Sequence, residues 1–139
     1  MKFLFQSSQR AQDLGILILR LGIGTLFIMH GYPKIMGGIE KWTWLGSQLH
    51  YFGITFAPVF FGLAASLAEF CGGIALVLGL GTRIAAFFMA DVMVVAITMH
   101  LKTGDAFTVY SHPMALLTVF ISLLIMGAGR YSLNHRLLS

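Results

Sequence analysis

Three charged residues lie inside long apolar stretches of the sequence: Arg20, Glu69 and Asp91. An unpaired arginine in the hydrocarbon of a membrane costs about 2.5 kcal/mol or more, so intramembrane charges mark functional or structural sites. Helix rise, counted from the ends of the predicted spans, places these residues about 10, 16 and 12 Å from the same membrane surface. The sequence therefore predicts one charged layer near the midplane, and its three members are the candidate catalytic residues.

The composition of this predicted layer suggests proton chemistry. One arginine cannot neutralise both Glu69 and Asp91, so one carboxyl group is either protonated or paired with something outside the layer. Gly24 shares a helical stripe with Arg20, and Gly73 shares one with Glu69, so small residues should turn these charges toward the bundle interior. A proton relay or ligand anchor is one interpretation, and a purely structural ion pair is the other.

A second set of polar residues is predicted at the opposite, outward side of the membrane. His30 and Lys34 end the first apolar stretch, His100 ends the third and His112 begins the fourth. Imidazoles at one membrane level can exchange protons with a quinone head group, which makes these four the candidate ligand-binding residues. They also fit helix capping and interfacial ends. No HxxxH or CxxC pair occurs, so no metal site is predicted.

The elements that must position these residues are membrane helices. Of 139 residues, 58% are hydrophobic and 10% are charged, whereas soluble domains carry about a quarter charged residues. We predict an all-α, integral membrane four-helix bundle that forms a single domain over residues 1–139. The predicted spans are about 14–31, 58–80, 82–101 and 112–127.

The connection between the first two spans is long and aromatic. Pro33 should end the first helix, because proline lacks an amide donor and disfavours helical geometry at the preceding residue. The segment 41–52 contains Trp42 and Trp44, and is predicted to be a short interfacial helix or re-entrant hairpin. The lysine and arginine distribution favours cytoplasmic termini. The residues on that side are Lys2, Arg10, Arg83, Arg130 and Arg136, against Lys34, Lys41 and Lys102.

Several functional classes are disfavoured by what the chain carries. The basic residues do not form a stripe, so a nucleic-acid partner is not expected. The single cysteine, Cys71, excludes an internal disulfide and a CxxC redox centre. No flavin, haem or iron–sulfur signature is present, so electrons for any redox reaction would have to come from a partner or from the ligand.

Three motifs resemble the DoxX family of small bacterial membrane proteins. They are RLGIGTLFIMHGYPKIMGG at 20–38, AEFCGGIALVLGLGTRIAA at 68–86 and GAGRYSLN at 127–134. The resemblance implies a four-helix membrane bundle and a link to quinone-dependent redox chemistry, since relatives include a subunit of a thiosulfate:quinone oxidoreductase. The family-like polar positions are Arg20, His30, Lys34, Glu69 and Arg83. Asn134 departs from the acidic residue typical of the family.

These observations lead to three functional hypotheses. The first is a redox-associated inner-membrane protein that binds a quinone or similar amphipathic ligand, as a subunit of a quinone-linked oxidoreductase with a soluble redox partner. The second is a non-catalytic scaffold or receptor that recruits partner proteins. The third is a transporter of protons or small solutes, which with four spans would require a homo-oligomer.

Overall fold

The computed structural model describes residues 8–139, and within that range it contains helices and no β-strand. Lys2, which contributes to the predicted orientation, lies outside the described residues. In chain order the helices are α1 (Gln9–Met36), α2 (Gly38–Ser47), a 3-10 helix (Gln48–Phe52), α3 (Pro58–Leu78), α4 (Thr82–Thr103), α5 (Phe107–Met126) and α6 (Leu133–Leu138).

Four of these helices, α1, α3, α4 and α5, are long and apolar enough to cross a membrane. α1 packs on α3, α3 on α4 and α4 on α5. The ring of Phe27 on α1 meets Phe120 on α5 edge-on at 5.0 Å between centroids, which joins the first and last of these four long helices. Large apolar side chains such as Ile18, Ile84 and Ile125 are exposed on the outside, as a lipid-facing surface requires. The predicted all-α membrane bundle is confirmed.

α1 does not end before Pro33, and that prediction is wrong. Pro33 lies inside the helix, which continues to Met36. A proline removes one intrahelical hydrogen bond, a loss that membrane helices tolerate when neighbouring groups compensate. The chain breaks instead at Gly37–Gly38, where Gly38 adopts a left-handed φ of 69°. The indole nitrogen of Trp42 donates to the Lys34 carbonyl at 3.0 Å and satisfies an acceptor at this break.

α2 packs along the first half of α3, with the two helices running in opposite directions. Gly46 lies against the Pro58 carbonyl and Gly62 against the Trp42 carbonyl, so closely that a Cβ at either glycine would collide with backbone. Gly31 of α1 makes a similar approach to the backbone of Phe70, farther along α3. α1 and α2 together therefore run the full length of α3, and the last turn of α1 lies beside the middle of that helix.

Candidate functional site

Lys34 and Glu69 form an ion pair inside the bundle. The Lys34 Nζ lies 2.7 Å from Oε1 and 2.6 Å from Oε2 of Glu69. The Glu69 side chain is 3% exposed and that of Lys34 is 27% exposed. Glu69 lies about 16 Å along α3 from Pro58 and about 14 Å from Leu78, which places the pair at mid-length. A charge-assisted contact in such a low-dielectric position is strong, because little water competes for either group.

The break at Gly37–Gly38, between α1 and α2, explains why Lys34 lies at this depth. The sequence prediction placed Lys34 at the outer rim because it ended the first helix before Pro33. In the structure, α2 supplies the remaining length beside α3, so the last turn of α1 stays deep. The close approach of Gly31 to Phe70, the neighbour of Glu69, brings the lysine within reach of the carboxylate.

A cavity of about 830 Å³ lies next to this ion pair. Its walls come from all four long helices, α2 and the 3-10 helix. Six of the seven residues proposed from the sequence line it: His30, Lys34, Glu69, Asp91, His100 and His112. The remaining lining is mostly apolar and includes Phe27, Phe60, Phe61, Phe88, Met93 and Leu116. An apolar chamber with a few polar groups is the usual architecture of a small-molecule site.

The charges in the cavity lining compensate one another. Lys34 and Lys41 supply two cations, and Glu69 and Asp91 supply two acidic groups. Lys41 also lies 5.0 Å from the centroid of the Trp44 ring, a cation–π distance. The arrangement leaves no net formal charge in the lining when the imidazoles are neutral, and therefore suits a ligand without net charge.

Several polar groups of the lining retain free hydrogen-bonding capacity. The side chains of Asp91, His30 and His112 make no hydrogen bond within residues 8–139, and these residues are exposed in the isolated chain. An imidazole can donate, accept and exchange a proton near neutral pH, and a carboxyl group can do the same when burial or a like charge favours its protonated form. The cavity can therefore hold a polar head group and exchange protons with it.

Arg20 lies outside this cavity, and its expected partnership with Glu69 is wrong. Its side chain is fully buried, and Nη2 donates to the Tyr131 carbonyl at 2.6 Å. The guanidinium lies against Gly79, at the far end of α3 from Pro58. The prediction of a charged layer is therefore wrong about its cation: the lysine Lys34, and not Arg20, pairs with Glu69. α1 is longer than expected at both ends, and Lys34 lies on it two turns beyond Phe27.

The residues around Arg20 instead hold the C-terminal segment against the bundle. The Asp13 Oδ1 accepts a hydrogen bond from the Arg130 amide at 3.1 Å. The backbone N–H of Asn134 donates to the Gly79 carbonyl at 3.1 Å. We call the segment Gly127–Asn134 the tail motif; it is the GAGRYSLN stretch of the sequence. Its contacts give Arg20 a structural role that hydropathy and depth counting did not reveal.

Asp105 was not among the residues singled out from the sequence. Its Oδ2 lies 2.7 Å from His100 Nδ1 and accepts a hydrogen bond from Thr103 Oγ1 at 2.9 Å. The hydrogen bond with His100 is the main cause that holds the pKa of the Asp105 carboxyl below its ordinary value, and the bond from Thr103 adds to it. The spacing of an acid five residues after a histidine, across a glycine, was the available signal.

The part of the chain that the structure describes contains no cluster of side chains arranged to bind a metal ion. No group of three or more His, Cys, Asp and Glu side chains in residues 8–139 is placed to hold a metal ion.

Comparisons with known proteins agree with this architecture. The family model described as DoxX matches residues 15–102. An Escherichia coli (strain K12) protein named inner membrane protein YqjF is 29% identical over 132 residues, which cover 93% of this chain and 96% of that protein. A Bacillus subtilis (strain 168) protein named "Putative oxidoreductase CatD" is 31% identical over 91 residues, covering 65% of this chain and 63% of that protein. No solved structure matches the chain.

Proposed function

The chain belongs to the DoxX family of multi-pass membrane proteins, and on this premise we propose that it binds a quinone or a similar uncharged amphipathic ligand in the cavity. The observation that carries the proposal is one cavity of about 830 Å³ that combines an ion pair, an unpartnered carboxyl group and three imidazoles with aromatic walls. Such a volume falls within the range of about 300–1,000 Å³ typical of ligand sites.

The chemistry of the lining supports a quinone-like head group in particular. A quinone ring is flat and apolar on its faces, and its two carbonyl oxygens accept hydrogen bonds. Aromatic side chains such as Phe61 and Phe88 match the faces, while His30 and His112 offer donors to the oxygens. The compensated charges of the lining disfavour an ionic head group, because its charge would remain unpaired in a low-dielectric site.

A redox role follows from the same ligand chemistry. Reduction of a quinone to a quinol takes up two electrons and two protons, and Asp91 with the imidazoles can exchange the protons. The electrons would come from a redox partner protein, of which this chain would be the membrane subunit. The printed name of the Bacillus subtilis relative supports an oxidoreductase link, and that name describes that protein.

The proposed orientation places both termini in the cytoplasm. The start of α1 and the tail motif lie together, as the contact between Asp13 and Arg130 shows. Four arginines lie near the termini or the turn between α3 and α4: Arg10, Arg83, Arg130 and Arg136. Such a bias of positive residues favours a cytoplasmic location for this side. The cavity residues His100 and His112 then lie toward the opposite face.

Ligand titration of the purified protein tests the proposal. Trp44 lines the cavity, so decylubiquinone bound there should quench tryptophan fluorescence and raise the midpoint of thermal unfolding. We expect saturable binding by the wild type and at least tenfold weaker binding by Asp91→Leu, which removes a polar group from the lining. Glu40→Gln is the matched control, because Glu40 is exposed and does not line the cavity.

The alternative role as a scaffold predicts a different result. If the cavity only separates helices that the ion pair holds together, the wild type will show neither saturable quenching nor thermal stabilisation with decylubiquinone. That outcome would overturn the proposed ligand.

A further inference from the structure

The loop after α4 carries a carboxylate that faces the cavity histidine His100. Gly104 ends α4 in a left-handed conformation with φ of 77°, which reverses the chain. The Asp105 amide then donates to the His100 carbonyl at 3.0 Å, and the carboxylate reaches His100 Nδ1 at 2.7 Å. The left-handed turn thus places a solvent-facing acid directly on an imidazole of the cavity wall.

This contact defines the hydrogen-bonding state of His100. An ionised carboxylate only accepts hydrogen bonds, so Nδ1 must carry the hydrogen that it donates to Asp105. Nε2 has no partner among residues 8–139 and is free to accept when the ring is neutral and to donate when it is protonated. The Asp105 side chain is 41% exposed and that of His100 is 23% exposed, so the pair connects loop-side water with the cavity lining.

We infer that Asp105 is a positioning residue, which fixes His100 so that its Nε2 exchanges a hydrogen bond and a proton with the oxygen of a ligand at the loop end of the cavity. This inference rests on the proposed function and adds to it the residue that orients the histidine and the side from which protons enter. Thr103 Oγ1 donates to the same Oδ2 at 2.9 Å and holds the carboxylate in place.

The other titratable groups of the cavity lining come from the four long helices and α2. They are His30, Lys34, Lys41, Glu69, Asp91 and His112. None of these is bonded to His100, whereas Asp105 is. A change at Asp105 should therefore act on the orientation of His100 and leave the ion pair of Lys34 and Glu69 in place.

The pH dependence of decylubiquinone binding tests the inference. The dissociation constant is measured by tryptophan quenching from pH 5.5 to 8.5, and calorimetry in buffers of different ionisation enthalpy counts the protons taken up. Protonated His100 donates a charge-assisted hydrogen bond to the ligand, so wild-type binding should be about tenfold tighter at the acidic end. His100→Gln should lose most of this dependence. Asp105→Asn should bind more weakly than the wild type, because a neutral amide is a weaker acceptor for the Nδ1 hydrogen and holds the ring less firmly.

His50→Gln is the matched control. The His50 Nδ1 also has an oxygen neighbour at 2.7 Å, the Ser47 carbonyl, but His50 does not line the cavity. Its variant should reproduce the wild-type profile. The inference alone would be overturned if the pH profiles of His100→Gln and Asp105→Asn superimposed on that of the wild type. Wild-type binding that is strong and independent of pH would overturn it as well. Absence of wild-type binding at every pH would overturn the proposed function instead.

Discussion

Lys34 on α1 and Glu69 on α3 meet at the middle of the bundle, with the lysine nitrogen within 2.7 Å of both carboxylate oxygens. The pair has two consequences. It joins the last turn of α1 to the middle of α3, and it places one ammonium group and one carboxylate at the wall of the cavity.

Breaking the pair on one side should destabilise the protein strongly. Glu69→Gln leaves the Lys34 ammonium without its counter-charge, at an expected loss of about 3–5 kcal/mol in the free energy of unfolding. Lys34→Met combined with Glu69→Leu removes both charges and should recover most of this loss, since apolar replacements of a buried pair are often neutral. Reversible unfolding in mixed micelles measures both values.

Lys102→Met provides the control for loss of a lysine. Lys102 is exposed at the end of α4 and does not line the cavity, so its replacement should leave stability unchanged. A double variant as unstable as Glu69→Gln would contradict the role of the pair as a simple electrostatic contact.

Arg20→Met should release the tail motif without weakening ligand binding. The substitution removes the guanidinium that donates to the Tyr131 carbonyl, at an expected cost of about 1.5–3 kcal/mol for a hydrogen bond from a charged group. Limited trypsin digestion should therefore cleave after Arg130 faster than in the wild type. The decylubiquinone affinity should stay within a factor of two, because Arg20 does not line the cavity.

The exposed Arg10 supplies the comparison for this variant. Arg10→Met removes an arginine from the same helix and should change neither cleavage nor binding. Loss of ligand binding by Arg20→Met with an intact tail would restore the interpretation of Arg20 as part of the charged site.

The fold could be predicted because its signals are local and strong. Long apolar runs, such as the one that forms α3, determine membrane helices, since every backbone polar group in lipid must be bonded within its own segment. The short turn at Gly79–Gly81 fixes α3 and α4 as antiparallel neighbours. These features need no knowledge of how side chains pack.

The site was predictable only in part, because depth along a helix depends on where the helix breaks. The sequence predicts a helix end at Pro33, whereas the break lies at Gly37–Gly38. The helix that follows the break packs on α3 through a long-range contact, Gly62 against Trp42, which the local sequence does not reveal. In the structure Lys34 lies at mid-bundle beside Glu69, whereas Arg20 contacts the tail motif at the end of α3. The group of polar residues was recognisable from the sequence, but the pairing within the group was not.

Gly62→Ala should disrupt the packing of α2 on α3. A Cβ at Gly62 would collide with the backbone of Trp42, so the helices must separate, at an expected cost of about 1–3 kcal/mol. Because α2 supplies cavity residues such as Trp44, decylubiquinone affinity should fall as well. Thermal unfolding and fluorescence titration measure the two effects.

Gly22→Ala is the matched substitution on α1, since nothing lies within 4 Å of a Cβ at Gly22. Alanine has the higher helix propensity, so this variant should be unchanged or more stable by up to about 1 kcal/mol. Equal effects of the two alanines would mean that the close approach of α2 to α3 does not contribute to stability.

The pair of Asp105 and His100 should make a pH-dependent contribution to stability at the loop end of α4. The hydrogen bond with His100 lowers the pKa of Asp105 from its ordinary value of 3.8, so the folded state holds this carboxyl in its charged form. The contribution is therefore fully present above pH 3.8 and is lost as the pH falls through the lowered pKa. Asp105→Asn should have a lower midpoint of thermal unfolding than the wild type at pH 5, and the midpoints of the two proteins should converge as the pH falls.

High salt should reduce the difference between the two midpoints, because the pair is partly exposed. A constant difference across the acidic range would show that the asparagine acts through packing or turn geometry and not through the carboxylate.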